Sequence, residues 1–249
     1  MTATRLDIAL VERGLCDSRE KARRAVLAGQ VRINGQPARK PSDGVRATDV
    51  LSLATLEKFV SRGGHKLEHA LTHFALDVRD LTATDLGAST GGFTDCLLQH
   101  GAAKVFAVDV GHGQLAWKLR QDPRVVVMEK TNARELTPEK FPQPFTRVDL
   151  VVIDCSFISL RKILPAAVAI LRAPGSIVAL IKPQFEAGKA EADKGAGVIT
   201  DPLIHQRVIA ELEEFVRTQP SLRWRGVTHS PLTGPAGNTE FLALIEKIS

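Results

Sequence analysis

From residue 82 to the C-terminus, short apolar runs alternate with segments whose apolar residues recur every three or four positions. The runs Thr82–Asp85, Lys104–Val108, Val125–Glu129, Val148–Ile153, Ser176–Ile181, Trp224–Thr228 and Glu240–Ile248 have the length and composition of strands. Between them, Thr94–Gln99, Leu160–Leu171 and Leu203–Arg217 place apolar residues at helical spacing. Strand and helix in alternation predict an α/β architecture, a Rossmann-like sheet of seven mostly parallel strands. The first 60 residues carry different signals. Ser18 is placed to cap a helix through Ala22, Ala25 and Val26, which Gly29 ends. Val31-Arg32-Ile33 then alternates as a strand does, and Asn34-Gly35 predicts a tight hairpin because both residues tolerate positive φ. A small α+β unit follows from these signals. The boundary between it and the larger domain is expected within Thr55–Val60, dividing the chain into 1–58 and 59–249. No internal repeat or low-complexity tract interrupts the pattern.

Charge sharpens this division. Residues 1–60 hold 11 Lys/Arg and 7 Asp/Glu, for +4, whereas residues 61–249 hold 22 and 21, for +1. A basic head on a nearly neutral body suits contact with a polyanion, since Lys and Arg make the phosphate contacts that dominate nucleic-acid affinity. A merely solvated charged face is the alternative. At 44% hydrophobic residues, the 249-residue chain can pack one large core and one small one. Its apolar runs fall far short of the 18 residues a membrane helix needs, and Met1-Thr2-Ala3-Thr4-Arg5 shows no secretory pattern. Cys16, Cys96 and Cys155 are odd in number and widely spaced, so neither a disulfide framework nor a metal-ligand set is expected. These features predict a cytoplasmic protein, monomeric by default, with no membrane partner.

Asp85-Leu86-Gly87-Ala88-Ser89-Thr90-Gly91-Gly92 follows the first strand of the body and opens a helix. Asp109, at the end of the next strand, lies 22 residues after Gly87. A strand ending in a glycine turn lets backbone approach a ligand, and an acid about 20 residues later can take two ribose hydroxyls. The dinucleotide fingerprint needs G-x-G-x-x-G, and Gly87, Gly91 and Gly92 do not supply it. The compact turn suits a smaller adenosine cofactor such as S-adenosyl-L-methionine, against the alternative that it merely joins strand to helix.

Ligands of an open α/β sheet gather beyond the carboxyl ends of its strands. Val151-Val152-Ile153-Asp154 ends one strand on a carboxylate, and Ala179-Leu180-Ile181-Lys182 ends another on a lysine. Arg62-Gly63-Gly64-His65-Lys66 brings a second lysine before the first strand, and Gly237-Asn238-Thr239-Glu240 a carboxylate to the last. Each alone reads as a salt bridge at the rim. Together they suit methyl transfer to a hydroxyl, which must be oriented toward the methyl and relieved of its proton as it attacks. Neighbouring charge and partial burial tune a lysine for this task, while carboxylates hold it in place.

Two resemblances rest on these residues. Arg5-Leu6-Asp7, Leu10, Gly14, Ser18-Arg19, Ala22, Ala25, Gly29, Val31, Asn34-Gly35 and Lys40-Pro41 resemble the S4 RNA-binding domain, over roughly residues 4–58. This implies that Arg5, Arg19, Arg23, Arg24 and Lys40, with Arg62 of the body, meet RNA. The body resembles the FtsJ-like 2'-O-ribose methyltransferases, whose Lys-Asp-Lys-Glu tetrad maps onto Lys66, Asp154, Lys182 and Glu240. With the S4 head, the chain is similar to the hemolysin A (TlyA) family of ribosomal RNA cytidine 2'-O-methyltransferases. Further stretches carry that likeness: Ser61-Arg62-Gly63-Gly64, Gln114-Leu115, Asn132-Ala133-Arg134, Asp154-Cys155-Ser156-Phe157, Lys182-Pro183-Gln184-Phe185-Glu186 and Gly237-Asn238-Thr239-Glu240-Phe241. The resemblance implies S-adenosyl-L-methionine held by Asp85, Gly87, Ser89, Gly91, Gly92, Asp109, Asn132 and Ala133. It implies ribosomal RNA or a ribosomal subunit as partner, and Lys182 as base or oxygen-activating group. His112 departs from the pattern, which has a tyrosine there; the chain has no Tyr.

Other readings are separable on the same residues. Base N-methylation of adenine wants a Pro-Pro pair after the strand-end acid, where this chain has Cys155-Ser156. Cytosine C5 methylation needs a thiolate, for which Cys155 is the candidate, but Asp154 beside it opposes ionisation. A ribosome-assembly factor without turnover would not need both the cofactor turn and the tetrad. A membrane-permeabilising hemolysin lacks a spanning helix or barrel pattern in this sequence.

Overall fold

The computed structural model describes residues 3–53, 57–188, 191 and 195–249. Two compact units divide the chain, Met1–Lys58 and Phe59–Ser249. Of the boundary stretch expected at Thr55–Val60, residues 55 and 56 lie outside the described residues.

In the first unit, β1 (Thr4–Arg5) pairs antiparallel with β4 (Gly44–Val45), and α1 (Leu6–Glu12) packs on α2 (Arg19–Leu27). Ser18 caps α2 as its position predicts, its side chain accepting from Lys21 N at 3.2 Å. β2 (Val31–Ile33) turns through Asn34 and Gly35, at φ 50° and 80°, into β3 (Gln36–Pro37), and pairs on its other edge with β5 (Leu51–Leu53). Leu6, Leu10, Ala22, Val26 and Val31 form its core.

The second unit is built on one seven-stranded sheet. Its strands are β6 (Thr82–Leu86), β7 (Lys104–Val108), β8 (Val125–Met128), β9 (Val148–Ile153), β10 (Leu171–Ile181), β11 (Leu222–His229) and β12 (Phe241–Lys247). They lie in the order β11-β12-β10-β9-β6-β7-β8, and β12 alone runs against its neighbours. The seven runs read from the sequence are these seven strands. Apolar clusters cover both faces of the sheet. One gathers around Leu97, Val152, Leu180 and α3 (Gly63–His73), the other around Leu86, Ile153 and Ile181. α4 (Gly92–Gln99) stands where helical spacing placed it, and α5 (Trp117–Arg120) is a single turn before β8. Two bounds move: the helix expected through Leu171 ends at Ile170 as α6 (Leu160–Ile170), and Leu171 instead pairs with Val148, starting β10 early. After the short α7 (Pro183–Glu186), α8 (Pro202–Arg217) again follows the helical spacing.

The helical segments read from the sequence do not include α3. Packing explains its glycines: a Cβ on Gly64 would stand 2.2 Å from Phe59 Cγ, and one on Gly92 2.3 Å from Ser61 Oγ. The bare backbones let the first turns of α3 and α4 approach closely, which carries Lys66 to the strand ends. Among the described residues, no helix is long and apolar enough to cross a membrane.

Candidate functional site

At the carboxyl end of β6 the chain passes into a turn bolted to both neighbouring strands. Gly87 and Ala88 donate their N–H groups to Val108 O at 2.9 and 3.1 Å, and Asp154 N donates to Leu86 O at 2.9 Å. Gly87 sits at φ 89°, and a Cβ there would lie 2.6 Å from Asp154 O. A larger residue therefore meets both backbone strain and the chain leaving β9.

Asp109 closes the turn from the other side. Its Oδ2 accepts from Ser89 N at 2.8 Å and its Oδ1 from Gly111 N at 2.7 Å. A carboxylate has lone pairs for more than two bonds, so an oriented Asp109 can still accept from a ligand. Asp85 lies beneath. It is wholly buried, accepts from Thr94 N at 2.9 Å and Thr94 Oγ1 at 2.7 Å through Oδ2, and thereby ties β6 to α4. Its Oδ1 is buried with no hydrogen-bond partner among the described residues. Burial above all pushes this carboxyl up to about 7; the negative charges of Asp154 and Asp109 add to the rise, and the Thr94 bonds oppose it.

The four residues singled out as a tetrad come together from α3, the end of β9, the end of β10 and the start of β12. They form two ion pairs. Lys66 Nζ donates to Glu240 Oε2 at 2.5 Å, across 174 positions of sequence. Lys182 Nζ meets Asp154 Oδ1 at 2.6 Å and donates to Ser156 Oγ at 2.8 Å. Both lysines are 8% exposed and Glu240 1%. All four line a cavity of about 310 Å³ together with Ser61, Arg62 and Thr90. A second cavity, of about 470 Å³, is lined by Val108, Asp109, Gln114, Asn132, Ala133 and Phe157. Gly87, Ser89, Asp154 and Ser156 belong to both linings. Two compartments thus share a seam at the ends of β6 and β9, where a group held in one can react with a group held in the other.

Most residues expected here line one cavity or both, Gly92 among them on the tetrad side. Two do not. Gly91, at φ 98°, is the residue before α4 and lines neither, and Asp85 supports the turn from below. His112 points its Nδ1 to Glu129 at 3.0 Å on the surface and also lines neither cavity. Sequence reasoning missed Ser156 and the exposure of Phe157, 89% accessible at φ 63°. The signal for Ser156 was its place two residues after Asp154, in the bend that follows the end of β9. Cys155 is held unreactive: burial and then the Asp154 charge push its thiol up to about 12.

In the first unit, Asp7 is 0% exposed and binds Arg5 at 3.0 Å and Arg19 at 2.9 Å. The Arg5 hydrogen bond leads in holding Asp7 down to about 2, with Arg19 adding to it against the cost of burial. Arg23 and Arg24, exposed on α2, border a groove of about 410 Å³ with Arg19, Glu20 and Leu27. Lys40 is exposed as well.

A profile described as FtsJ-like methyltransferase matches residues 59–247, and one described as S4 domain matches residues 4–51. The chain is 51% identical over 241 residues to the 16S/23S rRNA (cytidine-2'-O)-methyltransferase TlyA of Mycobacterium tuberculosis, covering 95% of this chain and 87% of that one. It is 41% identical to Hemolysin A of Brachyspira hyodysenteriae, covering 96% and 98%. A solved structure from Streptococcus thermophilus that carries a hemolysin name superposes with a TM-score of 0.74 at 44% identity, covering 100% of this chain and 90% of that one. With the match spanning its whole larger unit, the chain belongs to the FtsJ-like methyltransferases and carries an S4 domain at its head.

Proposed function

We propose that this protein transfers a methyl group from S-adenosyl-L-methionine to the ribose 2'-hydroxyl of a cytidine in ribosomal RNA. The observation that carries the reading is the seam: two cavities meet at Gly87, Ser89, Asp154 and Ser156, with the Lys182–Asp154 pair standing on it. The activity named for the Mycobacterium tuberculosis relative supports the choice of acceptor.

The larger cavity fits the cofactor. Carboxylates of Asp109 and Asp154 line it, Asp85 lies close enough to feel both charges, and a buried Asp85 oxygen lacks a partner among the described residues. Such a field favours a cation, and the cofactor is a sulfonium with an ammonium. Asp109 would take the ribose hydroxyls, Asn132 and Ala133 the adenine, and Gly87 and Ser89 would offer close backbone approach, with Gly91 and Gly92 carrying the turn on into α4 and Asp85 setting its charge from below. When bound, the cofactor supplies an electrophilic methyl group.

The tetrad cavity takes the acceptor nucleotide, drawn from its stack into the site. Lys182 orients the hydroxyl oxygen and stabilises the charge that develops on it, and the hydroxyl proton passes to the Lys182–Asp154 pair as the oxygen takes the methyl. Lys66 and Glu240, paired and buried, position the ribose. The unit 1–58 is the RNA-binding part, with Arg5, Arg19, Arg23, Arg24 and Lys40 on phosphate, and 59–249 the transferring part, with Arg62 at its mouth. Ribosomal RNA as substrate places the reaction in the cytoplasm.

The test is transfer of labelled methyl to unmodified ribosomal subunits, followed by digestion to nucleosides and mass analysis. The expected product is 2'-O-methylcytidine; 5-methylcytidine or no incorporation overturns the reading. Lys182→Ala keeps cofactor affinity and loses about 10²–10⁴-fold in turnover, the range typical of a group handling the proton.

A further inference from the structure

Ser156 has no role in the tetrad, yet it lies on the seam of both cavities and holds the Lys182 ammonium. Lysine reaches its site on a flexible four-carbon stem ending in three rotatable donors. Here Lys182 Nζ donates to Ser156 Oγ at 2.8 Å, while Asp154 Oδ1 stands 2.6 Å away as its ion-pair partner. Nitrogen is tetrahedral, so the stem and the N–H bond held on Ser156 stop the head group from spinning and fix the direction that neither Ser156 nor Asp154 takes. That direction carries an N–H in the charged form and a lone pair in the neutral one. β9 ends at Ile153, and Ser156 stands in the bend that follows, just before Phe157 at φ 63°.

We propose that Ser156 is a positioning residue for methyl transfer: it locks the Lys182 head group so that its remaining direction meets the acceptor hydroxyl. This rests on Lys182 being the oxygen-activating group proposed above. Asp154 supplies charge to Lys182, and Ser156 supplies orientation.

The experiment uses the full-length chain with S-adenosyl-L-methionine and unmodified ribosomal subunits, comparing wild type, Ser156→Ala, Ser156→Thr and Lys182→Ala. Losing a hydrogen bond to a charged group is expected to lower kcat in Ser156→Ala by about tenfold to a hundredfold. KM for RNA, cofactor affinity and melting temperature stay at wild-type values, and Ser156→Thr, which keeps the hydroxyl, recovers most of the rate. A second readout needs neither cofactor nor RNA. In lysine-ammonium NMR the Lys182 signal, identified by its loss in Lys182→Ala, is expected in wild type and broadened by exchange in Ser156→Ala. Wild-type kcat and an unchanged signal in Ser156→Ala overturn the proposal, as does a rate that falls in step with cofactor affinity and melting temperature. Wild type that methylates no RNA would fell the functional reading, while the NMR arm would still decide whether Ser156 locks Lys182.

Discussion

Replacing Asp85 with asparagine isolates the cost of keeping a carboxyl buried under the glycine turn. In the folded chain this group ionises at about 7, against an ordinary value of 3.8. Between those two pH values the folded chain keeps a proton that the unfolded chain has released. Stability therefore falls as pH rises through this window, and the full loss is present above about pH 7. The window spans about three pH units, so at about 1.4 kcal/mol per unit the ceiling is about 4 kcal/mol. Water entering around the ion reduces the realised value to roughly 2–4 kcal/mol. The substituted asparagine can accept both Thr94 bonds through its oxygen, but its amide group takes the place of the unpartnered Oδ1 and costs roughly 1–3 kcal/mol at every pH. The variant should thus gain about 2–3 kcal/mol on wild type between pH 4.5 and pH 8.5, the part of the window below pH 4.5 being already passed, measured by urea unfolding at constant ionic strength. Asp7, Asp77 and Glu129, each held down to about 2, titrate below this window in both proteins. A stability difference that stays flat across the range refutes the reasoning. The same carboxyl predicts that uptake of cationic cofactor at pH 7 releases part of a proton in wild type and none in Asp85→Asn, read as buffer-dependent binding heat.

Three further outcomes follow from the geometry. Gly87→Ala places a methyl 2.6 Å from Asp154 O at φ 89°, so a loss of about 1–3 kcal/mol in stability and weaker cofactor binding should appear in melting curves with and without cofactor. Cys155→Ser should retain methylation, and the native thiol should resist alkylation at pH 8, because it ionises at about 12; an inactive serine variant would reopen cytosine C5 chemistry. Removing Arg23 and Arg24 together should weaken RNA binding and lower the slope of log affinity against log salt by about 2, with turnover at saturating RNA unchanged; an unaltered slope would take α2 off the phosphate backbone.

The elements legible in the sequence are those whose cause is local. Apolar runs of strand length, the cap at Ser18, the hairpin at Asn34-Gly35 and the glycine turn after β6 each depend on neighbours a few residues away. Their structure follows their pattern. Asp154, Lys182 and Glu240 could be placed at strand ends for the same reason, since each strand's length was readable, whereas Lys66 lies on α3, before the first strand of the sheet. How they pair was not. Lys66 and Glu240 stand 174 positions apart and meet because β12 inserts between β10 and β11, while α3 packs on α4 through bare glycine backbone. Lys182 and Asp154 meet because β9 and β10 are adjacent and end at the same rim. Tertiary structure also moved Asp85 from the cavity wall to the layer beneath it, and bound Arg5 and Arg19 to Asp7. Hydrophobic periodicity states which face of an element is buried, but the partner of a buried charge is chosen by strand order and helix contact. Composition and spacing therefore determined which chemistry this chain carries, and the packing of distant segments decided which charges hold one another and which direction is left open to the substrate.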